Sequence, residues 1–309
     1  MRYLDPRADL TFKRVFGEHP DLVISLINAL LPLDKDHQVK SVEYIPIELV
    51  PDNPLKKNSI VDVRCKDSEG RQFLVEMQMI WSEEFKQRVL FNACKAYVRQ
   101  LDKKEQYELL QPVYSLNLVN DIFQKDSQEY YHHYDVADVD HPDTVIEGLH
   151  LIFIELPKFK PQNYSQKKMQ VLWLRYLTEM GDASKAPKEL LENPEVSKAI
   201  EILEESSYTE AQLNGYDKFW DIVRTEKTYY NSARKRGIAE GRAEGRAEGR
   251  AEGRAEGRAE GRAEGRAEGR AEGERQAKIN NAKAMKADGM SVELIAKYTG
   301  LSAEEIAVL

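Results

Sequence analysis

The stretch Ile60–Gln78, IVDVRCKDSEGRQFLVEMQ, limits the fold more tightly than any other part of the chain. Two runs rich in apolar and β-branched residues flank Asp67-Ser68-Glu69-Gly70-Arg71, a polar cluster containing a glycine. Short runs of this kind joined through a glycine-containing turn read as a β-hairpin. With Ser68-Glu69-Gly70 as the loop and Gly70 in the left-handed conformation, Asp62 lies across from Glu76, Val63 from Val75 and Cys65 from Phe73.

Side chains alternate between the two faces of a strand. One face of the hairpin then carries Val61, Val63, Cys65, Phe73, Val75 and Met77, and is apolar. The other carries Asp62, Arg64, Glu76 and Gln78. Two carboxylates directly opposed on one face repel and cost stability. Such a pair persists at low cost where water or a cation lies between the two groups. Oxygen ligands clustered this way suit a hard divalent ion, Mg²⁺ or Mn²⁺. Spacing alone leaves open the alternative of a solvated polar face on an antiparallel pair.

Asp62, followed after about a dozen residues by Glu76-Met77-Gln78 on the next strand, resembles the catalytic core of the PD-(D/E)XK nuclease superfamily. The usual Glu-x-Lys is replaced here by Glu-x-Gln. That variant is similar to the Rpn group, the recombination-promoting nucleases and transposases. Asp9 to Gly17, DLTFKRVFG, is similar to the family's opening motif, and Glu155 to Phe159, ELPKF, is similar to a segment that ends its core. The resemblance covers Arg2 to Phe159 and weakens beyond Tyr164. It implies an α/β fold, a mixed sheet flanked by helices, followed by a helical C-terminal region, a low-complexity repeat and a small helical tail. It also implies a metal-dependent DNA endonuclease that hydrolyses phosphodiester bonds, with a role in promoting recombination or transposition.

On that reading Asp62 and Glu76 hold one or two Mg²⁺ (or Mn²⁺) ions, and Asp62, Glu76 and Gln78 are the catalytic residues. Gln78 carries no charge, so it can only orient water or substrate by hydrogen bonds. Asp9, Lys13 and Arg88 are the accessory candidates. Asp9 and Lys13 share a helix face, where an ordinary surface ion pair is the alternative. Lys13 could substitute for the missing lysine, and Arg88 could meet a phosphate or remain a solvated helix residue. Tyr97, at another position resembling the family's, reads as core.

Composition sets the outer bounds. A chain of 309 residues has room for one substantial domain and appendages. Its net charge of −8 does not advertise nucleic-acid binding, although a metal nuclease can draw on its ion and on local Lys and Arg. Cys65 and Cys94, the only cysteines, support neither a disulfide framework nor a cysteine zinc cluster. Cys65 reads as a small buried hydrophobe. No signal peptide and no apolar run long enough to span a membrane is present, so a cytoplasmic protein is expected, with DNA as its partner and no membrane.

Asp9 to Leu31 reads as helix, broken between Gly17 and Pro20. Val39 to Val50 reads as a strand whose Pro46 demands an edge or a bulge, and Pro51 to Asn58 as a loop. Trp81 to Leu101 reads as a long helix. Pro112–Ile122, Tyr130–Val139 and Leu149–Leu156 read as strands, the last buried on both sides. Asp121 and Glu155 read as strand-end acids, with metal ligation the alternative. His132 and His133 project to opposite faces of a strand, cannot chelate together and receive no role. Gln162 to Leu203 reads as helix interrupted at Gly181 and Pro187, with a basic cluster of Lys158, Lys160, Lys167 and Lys168 that could track a phosphate backbone or simply be solvated. The expected division is a nuclease-like core at 1–160, a helical extension at 161–238, a repeat at 239–273 and a small helical tail at 274–309.

The repeat is the tetrapeptide Ala-Glu-Gly-Arg. On a helix its Glu and Arg do not meet, like charge sits over like charge, and each Gly costs about 1 kcal/mol relative to Ala. Disorder is expected, or a coiled-coil-like helix stabilised by pairing with another chain, which would make the protein a homo-oligomer through its C-terminal region. In the tail, Gly289 and Gly300 separate three short helices and Ser302-Ala-Glu-Glu305 is a capping box. The tail resembles a helix-turn-helix, but Glu304 and Glu305 are poor groups for a DNA groove, so a docking module is favoured. A DNA-binding or assembly protein with weak or no turnover, working through repeat and tail, is the alternative to the enzyme.

Overall fold

The computed structural model describes residues 2–48, 60–101, 106–161, 168–181 and 183–309. The loop expected at Pro51–Asn58, the last two residues of the strand expected over Val39–Val50, the start of the helical stretch at Gln162, and Lys167 lie outside the described residues. The chain divides into two compact units, Met1–Tyr229 and Tyr230–Leu309.

The first unit is α/β. Its mixed sheet has six strands: β1 (Val42–Tyr44), β2 (Val63–Asp67), β3 (Gln72–Gln78), β4 (Val113–Val119), β5 (Tyr131–Ala137) and β6 (Val145–Glu155). They lie in the order β1-β2-β3-β4-β6-β5. The hairpin β2–β3 has the register expected of it, Val63 opposite Val75 and Cys65 opposite Phe73. Gly70 turns it at φ +87°, a conformation open to glycine at no steric cost. β1 is an edge strand, which is why Pro46, two residues past its end, is tolerated.

β3 and β4 are parallel, as are β4 and β6. Parallel neighbours need a long crossover, and α3 (Glu84–Val98) supplies the one between β3 and β4. α1 (Asp9–Gly17) and α2 (Pro20–Leu30) are separate helices, broken at Glu18-His19 with Pro20 at the start of the second. With α4 (Met169–Glu179) and α6 (Pro194–Ile202) they cover one face of the sheet, and α5 (Lys188–Leu191) packs beside them. That core joins Phe12, Phe16, Val63, Phe73, Val75, Leu116, Ile152, Trp173 and Tyr176. Phe16 touches Phe12, Trp173 and Tyr176 at ring-centroid distances of 4.9, 5.5 and 6.4 Å.

α3 covers the other face, packing Phe85, Val89, Ala93 and Ala96 against Leu74, Val113, Val119 and Phe153. Val61 joins this second cluster. It was expected on the first face with Val63. The alternation fails because β2 begins only at Val63, so Val61 and Asp62 do not obey the two-residue period of a strand.

α7 (Glu210–Ala287) is one unbroken helix that contains the whole repeat. Of the two outcomes expected for the repeat the structure has the helix. Ala, Glu and Arg are strong helix formers, and no proline or β-branched residue interrupts them. Its first turns belong to the first unit, where the Tyr216 hydroxyl accepts the backbone N–H of Asp5 at 2.9 Å. In the second unit the last turns of α7 meet α8 (Val292–Thr299) and α9 (Ala303–Val308) in a small core of Ala282, Ile295, Leu301 and Ile306. Gly289 and Gly300 adopt positive φ, and Ser302 with Glu305 forms the expected capping box. No helix among the described residues is long and apolar enough to cross a membrane.

Two substitutions test this packing in urea denaturation. Phe16→Ala should cost about 3–5 kcal/mol, the range for emptying a buried aromatic site. Gly70→Ala should cost about 1–2 kcal/mol, because a Cβ is strained at this φ, without changing the secondary structure seen by circular dichroism.

Candidate active site

Glu76 and Gln78 lie at the C-terminal end of β3 on the face covered by α3. The period of two puts them there with Leu74. Facing them, α3 presents Arg88 and Asn92, four residues apart and so on one helix face. Asn92 is fully buried and its Nδ2 donates to Glu76 Oε1 at 3.0 Å. Arg88 donates from Nη2 to Gln78 Oε1 at 2.7 Å and stands 3.7 Å from Glu76 Oε2. The other end of the Gln78 amide donates to the Ile80 carbonyl at 2.6 Å.

Asp62 reaches the same place from the residue before β2. Its Oδ2 accepts the backbone N–H of Met77 at 2.7 Å, beside Glu76 in sequence. Among the described residues its Oδ1 accepts no hydrogen bond. On α1, Lys13 pairs with Asp9 at 2.6 Å. The charges of Lys13, Asp9 and Arg88 all act on Asp62, and that of Asp62 acts on Glu76. Asp62, Glu76, Gln78 and Arg88 thus form one cluster, with the Asp9–Lys13 pair acting on it through its field.

Both carboxyl groups are displaced toward their neutral forms. Burial pushes Glu76 up to about 7 from an ordinary 4.5; the Asn92 hydrogen bond and Arg88 oppose the rise, and the Asp62 charge adds to it. Burial raises Asp62 as well, opposed by the Met77 N–H and by Lys13. The buried Glu76 and the partly buried Asp62, which bonds the next residue of β3, form with Arg88 and Lys13 acting on them a donor set that fits a hard divalent ion. Asp62 and Glu76 would be its ligands.

Asn92 went unrecognised in the sequence. A faint signal exists: it is a lone amide on the apolar side of α3, between Val89 and Ala93 and one turn beyond Arg88. The other acids have different duties. Asp121 accepts the N–H groups of Trp81 and Ile122, and Glu155, fully buried, accepts those of Phe123 and Gln124 while meeting His132 and Lys158 at 2.8 Å each. Lys158 also donates to the Gln124 and Glu129 carbonyls, so it braces this corner and is not the phosphate-tracking group the basic cluster suggested. Tyr97 is partly buried and packs its ring against Gly148.

The displaced Glu76 has a measurable consequence for stability. Its folded-state value lies above the unfolded one, so the folded chain holds the extra proton between about pH 4.5 and 7. The stabilisation is complete below that window and lost as pH rises through it. In chelator-treated protein the loss between pH 4 and 8 should be about 3 kcal/mol larger for the wild type than for Glu76→Gln, as read from urea unfolding at several pH values.

The family model described as "PD-(D/E)XK nuclease family transposase" matches residues 6–233. No curated protein and no solved structure matches the chain. The matched span takes in the sheet, α3 and the cluster around Glu76, and the family is the one that the Asp62, Glu76-x-Gln78 pattern resembles. The chain belongs to the PD-(D/E)XK nuclease family transposases.

Proposed function

We propose that the chain is a metal-dependent DNA endonuclease that hydrolyses phosphodiester bonds at the cluster around Glu76. One observation carries the reading: in a chain of a nuclease family, Asp62 accepts the N–H of Met77 next to the buried Glu76, so two acids meet at the end of β3 beside Arg88. Asp62 and Glu76 would hold Mg²⁺ or Mn²⁺. When bound, such an ion supplies Lewis acidity and a more acidic water. The protein groups around it position and balance charge. Asn92 fixes the Glu76 carboxylate, and the Met77 N–H fixes that of Asp62.

Gln78 stands where relatives of the usual pattern have lysine. Both ends of its amide are engaged, so its part is to hold Arg88 beside Glu76. Arg88, half-exposed, is then the cation that meets the scissile phosphate, and Lys13 is a second positive group acting on Asp62. The substrate is DNA, cut in the cytoplasm during recombination or transposition. The C-terminal helices, where Gly and Ala rows leave room for close approach, bring copies of the chain together. A binding or assembly role without turnover is the second reading, and the engaged amide of Gln78 in place of a lysine is what favours it.

Plasmid nicking in Mg²⁺ or Mn²⁺ tests the proposal. The wild type should cut, and Asp62→Ala and Glu76→Ala should each lose at least about 100-fold in rate, as expected when a charge-stabilising contact is removed. If none of the three cuts, the binding reading stands. Equal cutting by all three would remove these residues from the site.

A further inference from the structure

A second group of potential ligands lies where β5 meets β6. The pairing there is irregular: Tyr134 faces Leu151 and Val136 faces Ile146, so Glu147 to His150 are accommodated opposite Asp135 alone. Bulges re-aim side chains, and this one brings His150 of β6 onto the aspartate that His133 of β5 also meets. Asp135 Oδ1 lies 2.7 Å from His150 Nδ1 and 2.8 Å from His133 Nε2. Ligand atoms of His133, Asp135 and His150 all lie within 4.8 Å of one another.

His150 is 7% exposed and stacks on Tyr114 at 4.4 Å with its plane tilted by 14°. Its Nε2 is buried without a hydrogen bond, and the nearest described acid, Glu147 Oε2, is 3.2 Å away. Its other nitrogen, Nδ1, is the one turned toward Asp135 and the cluster. His133 and Asp135 are 29% and 22% exposed at their side chains, so the group opens to solvent on that side.

The cluster is separate from that of Glu76. His150 continues the stack Phe73–Tyr114–His150, and Phe73 belongs to the core under α1 and α2, whereas Glu76 faces α3. The chemistry is also different. Two imidazoles and a carboxylate suit Zn²⁺ and neighbouring transition metals, while Mg²⁺ prefers oxygen and water. At metal–ligand distances of about 2.0–2.1 Å, tetrahedral ligands stand roughly 3.4 Å apart. Each nitrogen, at 2.7 and 2.8 Å from Oδ1, needs to part from it by roughly 0.6–0.7 Å to admit an ion.

We propose that His133, Asp135 and His150 bind one divalent transition-metal ion of the Zn²⁺ class, with water completing its coordination on the exposed side, and that the ion clips the edge strand β5 to β6. The reading is independent of nuclease activity. Because β5 ends the sheet and is paired on one side only, the clip acts where fraying starts.

The test uses untagged, chelator-stripped full-length protein, titrated with Zn²⁺ in millimolar Mg²⁺ and desalted before metal is counted by atomic emission. The wild type should retain about one equivalent and gain thermal stability. Asp135→Asn and the exposed His133→Ala should each weaken Zn²⁺ binding by at least about 100-fold, and both should lose the visible absorption of the Co²⁺ form. Glu76→Gln and the loop variant His141→Ala should bind as the wild type does. Far-UV circular dichroism establishes that each variant is folded. The proposal is overturned if the wild type retains no Zn²⁺, if a folded His133→Ala protein binds as tightly as wild type, or if Glu76→Gln abolishes binding.

Discussion

Glu76 is a carboxylate at the end of a central strand, buried beneath a helix, and most of the site is arranged around tolerating it. A buried charge without a partner is among the most expensive things a fold can contain. Asn92 gives it one hydrogen bond and Arg88 a distant charge, and the residual cost emerges as a carboxyl group poised near neutrality. A group in that condition has two ways to relax, a proton or a cation. The crossover between two parallel strands makes this possible, since α3 packs on the face of the sheet between them and so brings its polar pair over the end of β3.

The two faces of the sheet do different work. Under α1, α2, α4 and α6 lies a large aromatic and aliphatic core whose burial drives folding. Under α3 the apolar contacts are fewer and interrupted by Arg64, Gln72, Glu76, Asn92, Ser115 and Asn117, all buried. Buried polar groups persist when they are bonded to one another, and here they are: Arg64 to Gln72, Asn92 to Glu76, Asn117 to the Ile152 carbonyl. One face supplies stability, and the other spends part of it on holding acids in place.

Several parts of this arrangement were legible in the residue order. The hairpin register came from Gly70 and the alternation of apolar residues, because a slip of one position would have turned every core side chain outward. The capping box at Ser302 and the glycine stops at Gly289 and Gly300 were equally plain, being local chemistry within a few residues. Val61 was placed on the wrong face because the period of a strand was carried past the strand's end. The histidines of β5 were set aside because adjacent residues on a strand diverge. That argument was sound but incomplete: His132 finds Glu155 and His133 finds Asp135 and His150, partners that no spacing within β5 could reveal.

The amino-acid order by itself determined the hairpin with its register and the glycine stops and capping box of the tail, since each depends on neighbours a few residues away. Tertiary structure alone decided which side chains of α3 would face Glu76, that Gln78 would be bound to Arg88 and so not point outward, and that a bulge would deliver His150 to Asp135. Those contacts join residues from different elements. Their existence rests on how helix and strands pack, a matter of shape and burial that no local pattern encodes.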